Sequence, residues 1–427
     1  MRILTAEYVL PISDEPIRRG AVVVDGGTIA AVGPLQRVTE QFPETAIDDY
    51  GFSSILPGFV NCHSHLEITA MRGALDDVEH DFRSWLLKLN DLRNSMSDDE
   101  IREAAYLGAV EGAAAGVTCF GDIGRNGIAG FEALKRAGLR GLLFQETEFS
   151  PDNRTADADF AELREKYFAL RESATELVEV GLSPHSPYTV SPKLFSLIAD
   201  FAIANSVKIS IHAAESEDED ELVINGNGFF TEVYEKFGLE WKSPGCSTIE
   251  YLKSTGILET KPLLAHCVTV SDTDIETIFA TGSKIAHCPK SNAKFGHGYA
   301  PFERFCDLGV TVGLGSDSVA SNNLCDMIEE ARFAALAARN RAGRNRFVTP
   351  REVLSAATIG GAAALGLEDM IGSLEAGKQA DLAIISLDNP AVLPVNDIEA
   401  AIVFSSSGRD IKETIVAGNC VYKKEAR

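Results

Sequence analysis

The stretch PGFVNCHSHLE, residues 57–67, places two histidines directly after an apolar run that is typical of a β-strand. Residues two apart in a strand point to the same face, so the imidazoles of His63 and His65 are expected to lie side by side. Further along, His212 ends the apolar segment KISIH, and Asp317 follows VGLGS. Three imidazoles and one carboxylate at the ends of separate strands form a ligand set that suits Zn²⁺ or Fe²⁺. The sequence therefore predicts a metal site.

Short apolar runs alternate with helical stretches through the middle of the chain, which is the pattern of parallel strands joined by helices. The predicted strands are Ser54–Asn61, Val117–Asp122, Gly141–Glu146, Glu179–Ser183, Lys208–His212, Pro262–His266, Lys284–His287 and Thr311–Ser316. These eight units favour a (β/α)8 TIM-type barrel over an open doubly wound sheet, and no glycine-rich dinucleotide or phosphate loop follows the first strand. Barrel enzymes carry their reactive groups at the carboxyl ends of the strands, where these ligands lie.

Both ends of the chain are rich in short strand-like segments. These are Gly20–Val24, Thr28–Val32, Ala380–Ser386, Ala400–Ser405 and Thr414–Val416. We expect the two ends to meet in one small β-sandwich. The predicted domains are therefore residues 1–56 and residues 370–427, the two parts of the sandwich, with the barrel over residues 57–369 between them.

The composition limits the classes of binding partner and the cellular compartment that are expected. With 63 acidic and 39 basic residues, the formal net charge is −24, which argues against nucleic acid and anionic membranes as partners. The 8 cysteines are scattered without a CxxC pair, which indicates free thiols rather than a disulfide framework. The start, MRILTAEYVL, lacks the apolar core of a signal peptide, and no apolar run is long enough to span a membrane. A cytoplasmic protein is expected.

Two more strand-end residues fit acid–base chemistry on a metal-activated water. Glu215 lies three residues after His212 and would carry a proton to a leaving group, although a solvated acid at the start of an acidic run is the alternative. His266 ends the sixth strand and would either bind the metal or polarise the attacked centre. We favour the second role because the other ligands already number four. The fourth strand ends in GLSPHS, without the lysine that commonly bridges two metals, so a single divalent ion is expected.

At these residues the chain resembles the amidohydrolase superfamily along essentially its whole length. It is most similar to the branch that contains S-adenosylhomocysteine and methylthioadenosine deaminases, guanine deaminase and triazine hydrolases. The similar blocks are PGFVNCHSHLE, PHSPYTVS, IHAAES, LLAHCV, HCPKSNAKFGHGYAP, LGSDSVASNN and IGSLEAGKQADL. The resemblance implies a barrel with a composite β-sandwich and four metal ligands, which are His63, His65, His212 and Asp317. It also implies that Asp317 accepts a proton from water, Glu215 shuttles a proton, His266 faces the substrate ring, and His185 contacts the substrate.

A finer similarity concerns the pocket. The segment HLE followed by DFRSWLLKLNDLR is similar to aminodeoxyfutalosine deaminases, which implies that Glu67, Phe82 and Trp85 are pocket residues. The alternative is a helix-capping acid and an amphipathic core stripe. Asn292, after the seventh strand, either lines the pocket and binds substrate or forms a turn. Ser318 departs from the family pattern, because many relatives have glycine there, beside the metal site.

The remaining histidines and cysteines are assigned by position. His287 ends the seventh strand and is expected to be structural, whereas His297 lies in the glycine-rich stretch GHGY and is expected on the surface. Cys62, Cys267 and Cys288 each neighbour a strand-end histidine. Strand alternation turns them away from the metal, so they are not predicted as ligands.

The predicted function is hydrolytic deamination of an adenine-bearing nucleoside with release of ammonia. The candidate substrates are S-adenosylhomocysteine, methylthioadenosine, adenosine and aminodeoxyfutalosine, and the cofactor is one divalent metal, zinc or alternatively iron. A second hypothesis is another hydrolysis in the same branch, on guanine, a triazine or a different C–N or C–halogen bond. A third is a catalytically inactive scaffold. The expected partner is a small-molecule substrate, and a homo-oligomer is expected from the resemblance alone.

Overall fold

The computed structural model describes residues 1–425, which begin with a strand-rich segment. Its elements are β1 (Arg2–Val9), β2 (Ile17–Asp25), β3 (Thr28–Pro34), α1 (Leu35–Gln41), β4 (Ile47–Asp49) and β5 (Ser53–Pro57). The parallel strands that follow are β6 (Phe59–Ser64), β7 (Val117–Gly124), β8 (Arg140–Glu146), β9 (Val178–Ser183), β10 (Ser210–Ala213), β11 (Leu263–His266), β12 (Lys284–His287) and β13 (Val312–Leu314). The chain ends with β14 (Leu382–Ser386), β15 (Ile411–Val416) and β16 (Asn419–Lys423).

Helices separate and follow the parallel strands. They are α2 (Phe82–Ser95), α3 (Asp98–Ala114), α4 (Ile128–Ala137), α5 (Ala156–Arg171), α6 (Pro192–Asn205), α7 (Glu217–Asp220), α8 (Phe229–Lys236), α9 (Thr248–Ser254), α10 (Asp272–Thr281), α11 (Pro289–Phe295), α12 (Phe302–Leu308), α13 (Val319–Asn322), α14 (Met327–Ala342), α15 (Pro350–Ala356), α16 (Ile359–Leu365) and α17 (Ile398–Ser405). Short 3-10 or π turns cover Leu66–Met71, Glu221–Asn225, Ile257–Thr260, Gly343–Asn345 and Gly408–Asp410. Within residues 1–425 no helix is long and apolar enough to cross a membrane.

The strands β6–β13 form two four-stranded parallel sheets, β6-β7-β8-β9 and β10-β11-β12-β13. The two sheets approach each other at both edges, because Leu182 forms a parallel bridge with Ile209, and Ser64 forms one with Asp317. Every residue of β7 and β8 is buried, as expected for parallel strands covered on both faces. The alternation of strands and helices predicted from the sequence is confirmed as a mixed α/β structure.

The two ends of the chain join in one sheet of order β16-β15-β14-β5-β1-β2-β3, with β4 beside β1. Alternate residues of β1 face opposite sides, as strand geometry requires. Leu4 packs with Val22 and Leu382 on one face, and Ile3 packs with Val38 on the other. The termini therefore meet in a sandwich-like part, as the sequence indicates.

Two predicted strands are wrong in detail. The segment Ala400–Ser405 belongs to α17, because the Asp397 side chain accepts a hydrogen bond from Ala400 N at 2.9 Å and caps a helix. The predicted strand Ser54–Asn61 is divided between β5 and β6. The chain leaves the terminal sheet at Gly58, where a Cβ atom would come within 2.1 Å of the Thr118 side chain.

A buried ion pair links the parallel strands to the terminal sheet. Arg140 begins β8, and its Nε and Nη2 atoms donate to the Asp381 carboxylate at 2.9 and 3.1 Å. The two side chains are only 4% and 1% exposed. Asp381 Oδ1 also accepts a hydrogen bond from Ala417 N at 2.8 Å, so one carboxylate ties β8 to the turn between β15 and β16.

Candidate active site

Separate strand ends bring three imidazoles and one carboxylate together. His63 and His65 lie at the end of β6, His212 lies in β10, and Asp317 follows β13. Both His63 Nε2 and His65 Nε2 lie 3.5 Å from Asp317 Oδ1. His65 Nε2 also lies 3.2 Å from His212 Nε2. The four residues predicted as metal ligands therefore form one cluster.

Backbone carbonyls set the direction of two of these imidazoles. His65 Nδ1 lies 3.1 Å from the carbonyl of Ile123, and His212 Nδ1 lies 3.0 Å from the carbonyl of His185. A carbonyl oxygen only accepts hydrogen bonds, so each Nδ1 carries the proton and each Nε2 presents a lone pair. This arrangement is the usual support of a metal-binding histidine.

The donor set fits a divalent cation. Neither ring nitrogen of buried His63 has a hydrogen-bond partner among the described residues, and the lone pairs of His65 and His212 face each other. Burial lowers the pKa of His65 to about 4 and holds the pKa of His212 well below its ordinary value, which keeps both rings neutral, as metal ligation requires. A cation among these atoms would satisfy lone pairs that otherwise repel each other.

The carboxylate of Asp317 is oriented by hydroxyl groups. Ser291 Oγ and Ser321 Oγ donate to Asp317 Oδ2 at 2.6 and 3.0 Å, which leaves Oδ1 facing the histidines. The residue has a left-handed backbone with φ of 57°, a strained conformation that is concentrated at functional sites. Burial by itself would raise the pKa of Asp317, but the neighbouring imidazole of His63 holds it well below the usual value. The adjacent Ser318 caps α13 and lines the cavity described below.

Glu215 and His266 face each other beside this cluster. His266 Nε2 lies 3.7 Å from Glu215 Oε1, and both side chains are buried. His266 Nδ1 lies 2.9 Å from Asn292 Oδ1, which accepts its proton and directs Nε2 toward Glu215. Asn292 is thus buried behind His266 rather than placed on a cavity wall. Burial raises the pKa of Glu215, so the carboxyl holds a proton more readily than an exposed glutamate does.

His297 is a second histidine beside Glu215. The prediction that it lies on the surface is wrong, because its side chain is 7% exposed and its Nε2 lies 3.8 Å from Glu215 Oε1. Phe82 of α2 packs edge-on against its ring, with ring centroids 4.9 Å apart, and so covers it. His287, by contrast, is buried against Phe302, in agreement with the expected structural role.

A cavity of about 410 Å³ opens above His65, His212, Glu215, His266 and Asp317. Its apolar wall includes Phe82, Trp85, Phe149, Phe229, Phe230 and Phe295. Its polar side includes Glu67, Arg93, Arg125, Glu146, Glu148 and His185. Such a mostly apolar cavity with a few convergent polar groups is typical of a small-molecule site.

The predicted pocket residues occupy distinct places in this cavity. Trp85 and Phe82 line it from α2, 6% and 8% exposed. Glu67 also lines it, but its carboxylate is already bound to Arg93 Nη2 at 2.5 Å and to Gly127 N at 2.6 Å. It therefore holds the loop after β7 in place.

His185 lies on the polar side. Its Nδ1 is within 2.8 Å of the hydroxyls of Ser186 and Thr189, and its Nε2 lies 3.8 Å from Glu146 Oε1. Burial lowers the pKa of His185 to about 3, so the ring is neutral. Glu146 was not among the predicted site residues, although its place at the end of β8 is a strand-end position like that of the predicted ligands. Nothing in the sequence distinguishes Phe149 or Phe229 from ordinary core residues.

Comparisons with known proteins place the chain among related sequences. The profile of the amidohydrolase family matches residues 54–421, and the profile of the bacterial imidazolonepropionase-like composite domain matches residues 20–44. The chain is 31% identical over 422 residues to a 5-methylthioadenosine/S-adenosylhomocysteine deaminase of Thermodesulfovibrio yellowstonii, which covers 97% of this chain and 92% of the relative. It is 32% identical over 411 residues to a 5'-deoxyadenosine deaminase of Methanothermobacter thermautotrophicus, which covers 95% and 90%.

Solved structures show the same architecture. An adenosine deaminase from Xanthomonas campestris with bound zinc matches with a TM-score of 0.85 at 25% identity, over 98% of this chain and 92% of that one. The fold is shared with an aminofutalosine deaminase of Helicobacter pylori in complex with methylthio-coformycin, with a TM-score of 0.80 at 20% identity over 99% and 100% of the two chains. The family profile spans most of the sequence, and relatives above 30% identity cover nearly all of it. The chain belongs to the amidohydrolase family.

Proposed function

We propose that this chain is a metal-dependent aminohydrolase that deaminates an adenine-bearing nucleoside and releases ammonia. The observation that carries the proposal is the placement of Glu215 Oε1 3.7 Å from His266 Nε2, beside the ligand cluster and at the floor of the cavity. The names of the full-length relatives support the nucleoside class. The candidate substrates are S-adenosylhomocysteine, methylthioadenosine, adenosine and aminodeoxyfutalosine.

The architecture that we infer for this function is a closed barrel. The bridges of Leu182 with Ile209 and of Ser64 with Asp317 support closure of β6–β13 into one (β/α)8 barrel. On this view the barrel covers residues 57–369, and residues 1–56 and 370–427 build the β-sandwich. The carboxyl ends of the barrel strands then form the floor of the cavity.

One divalent ion would be held by His63, His65, His212 and Asp317. We propose zinc, with iron as the alternative, because neutral imidazoles and a carboxylate suit both metals. When bound, such an ion supplies Lewis acidity, which lowers the pKa of water toward neutrality. The zinc-bound relative of known structure supports the first choice.

The residues of this chain would orient the water and move its protons. Asp317 Oδ1 and His266 Nε2 direct the water toward the ring carbon that carries the amino group. Glu215 Oε1 accepts one proton of the water and delivers it to the neighbouring ring nitrogen. Glu215 then delivers the second proton of the water to the amino group, which leaves as ammonia, and the water oxygen remains on the ring as a carbonyl. The raised pKa of Glu215 suits a group that must both accept and donate a proton.

The aromatic wall would bind the base and exclude water. Phe82 and Trp85 of α2 and Phe229 and Phe230 of α8 line the cavity. Flat apolar side chains offer a large contact surface to a purine ring at a small entropic cost. His185 would contact the substrate from the opposite, polar side. Trp85 is a further proposed substrate contact. Glu67 and Asn292 would serve substrate binding indirectly, because Glu67 holds the loop after β7 and Asn292 orients His266.

Ammonia release from a substrate panel tests the proposed function. Zinc-loaded protein is assayed with S-adenosylhomocysteine, methylthioadenosine, adenosine, aminodeoxyfutalosine, guanine and a triazine. Turnover of at least one adenine nucleoside is expected. Turnover restricted to guanine or the triazine would assign a different reaction of the family. A zinc-loaded protein that is silent on every compound would contradict the deaminase function and leave the scaffold hypothesis.

Two further expectations accompany this function. All eight cysteines are free, which supports a reducing, cytoplasmic location. The partner would be a small-molecule substrate. The homo-oligomer expected from the family resemblance stays a prediction.

A further inference from the structure

Glu219 is a completely buried acid in the acidic run that follows β10. It lies in α7, and its side chain is 0% exposed, whereas Glu217 in the same helix is exposed. An acidic run is usually a solvated surface, so an acid turned fully inward needs a separate explanation. Its two carboxylate oxygens accept hydrogen bonds from backbone amides next to the cavity.

Both oxygens of Glu219 hold the backbone that carries Glu215. Ala214 N donates to Glu219 Oε1 at 2.8 Å, and Glu215 N donates to Glu219 Oε2 at 3.1 Å. Ala214 has a left-handed backbone with φ of 51°, which is unfavourable for an alanine unless its surroundings enforce it. The carboxylate therefore stabilises the turn at which the chain leaves β10 and places Glu215 at the floor of the cavity.

The same turn is fixed from two other elements. Thr248 Oγ1 of α9 donates to Glu219 Oε1 at 2.8 Å, which orients the carboxylate itself. The carbonyl of Ala214 accepts hydrogen bonds from Val268 N at 2.7 Å and from Thr269 N at 3.0 Å, just after His266 in β11. The backbone positions of Glu215 and His266 are thus tied to each other through the Ala214 peptide.

Burying this carboxylate is costly. Burial raises the pKa of Glu219 to about 7, although three hydrogen-bond donors oppose the shift. An apolar residue at a buried position usually serves stability at least as well as a buried ion does. Stability alone therefore does not explain why an acid is buried here. The need to hold Glu215 in a precise position does explain it.

We propose that Glu219 is a positioning residue that sets the side chain of Glu215 against His266 and the reacting atoms. This inference rests on the proposed function, because Glu215 is the proton carrier there. Glu219 touches neither substrate nor metal ligands in this scheme. It acts through the two amides that it binds.

The test compares Glu219→Gln with two matched variants. Glutamine keeps one oxygen acceptor but turns an N–H donor toward a backbone amide, so it breaks one of the two bonds. A displacement of about 1 Å at a catalytic group costs on the order of 100-fold in rate, so kcat should fall by about that factor. KM and bound zinc should change little. Glu219→Asp, which retains two acceptor oxygens, should recover part of kcat, and exposed Glu217→Gln should match the wild type.

Hydrogen exchange followed by mass spectrometry provides a readout that does not need the substrate. In Glu219→Gln the amides of the peptide covering residues 211–218 should exchange faster than in wild type, whereas Glu217→Gln should leave them protected. Wild-type kcat or wild-type protection in Glu219→Gln would overturn the inference. If Glu219→Gln does not fold, Thr248→Val is measured instead and should show a smaller loss of kcat at unchanged KM. If wild type deaminates nothing, the proposed function fails, and the exchange measurement alone decides whether Glu219 holds the turn.

Discussion

Replacing Asn292 by alanine should slow catalysis without removing the metal. Asn292 Oδ1 accepts the Nδ1 proton of His266 at 2.9 Å, and both residues are 1% exposed, so no solvent replaces the lost acceptor. A hydrogen bond to a charged or partly charged group is worth about 1.5–3 kcal/mol, and each 1.36 kcal/mol is tenfold in rate. The expected loss in kcat is therefore about 10- to 100-fold, because His266 Nε2 no longer points reliably toward Glu215.

The assay is steady-state ammonia release on the best adenine nucleoside, with zinc content and the unfolding temperature measured on the same samples. Asn389→Ala is the matched control, because the Asn389 side chain donates to Asp410 and accepts from Ala391 N, and none of these three residues lines the cavity. It should retain wild-type kcat. Wild-type kcat in Asn292→Ala, or an equal loss of kcat in both variants, would refute the positioning of His266 by Asn292.

Two further predictions concern stability. Arg140→Met leaves the buried Asp381 carboxylate without its cation, which should lower the free energy of unfolding by about 3–5 kcal/mol in urea titrations. The control Arg136→Met removes an exposed ion pair and should barely move the urea midpoint. Equal shifts of the midpoint in both variants would contradict a stabilising role of the buried pair. Burial raises the pKa of Glu330 to about 8 in the folded state, although Asn322 donates a hydrogen bond to it. The folded protein therefore binds the Glu330 proton more tightly than the unfolded chain does. The stability that this proton contributes is lost as the pH rises from the ordinary glutamate range through about 8. Between pH 6 and pH 8 the wild type should lose about 2 kcal/mol more than Glu330→Gln, and identical pH slopes would remove Glu330 as the cause.

The alternation of apolar runs with helical stretches predicts much of the fold, because parallel strands that are buried on both faces appear in the sequence as apolar runs. It cannot locate the junction at Gly58, since β5 and β6 form one continuous apolar segment that belongs to two sheets. The sequence pattern also predicts a strand for Ala400–Ser405, because six apolar or small residues fit the periodicity of a strand and that of a helix equally well. The N-cap at Asp397 favours the helix.

The clustering of the four predicted metal ligands is predictable because the carboxyl ends of the parallel strands lie on the same side of the structure. His63, His65, His212 and Asp317 need only that rule to be brought together. The position of His297 is not predictable in this way, because it depends on α2 lying over a loop more than two hundred residues away along the chain. The same holds for Glu219, whose acidic neighbours suggest a solvated surface until the fold turns it inward.

In the proposed mechanism Glu215 moves the proton while four other residues hold the metal. The most direct measurement is turnover and zinc content of Glu215→Gln beside wild type on the same adenine nucleoside. We predict that this variant keeps its zinc and its substrate affinity but loses nearly all turnover, because an amide cannot exchange a proton with the ring. A zinc-replete Glu215→Gln that deaminates at the wild-type rate would rule out Glu215 as the proton carrier.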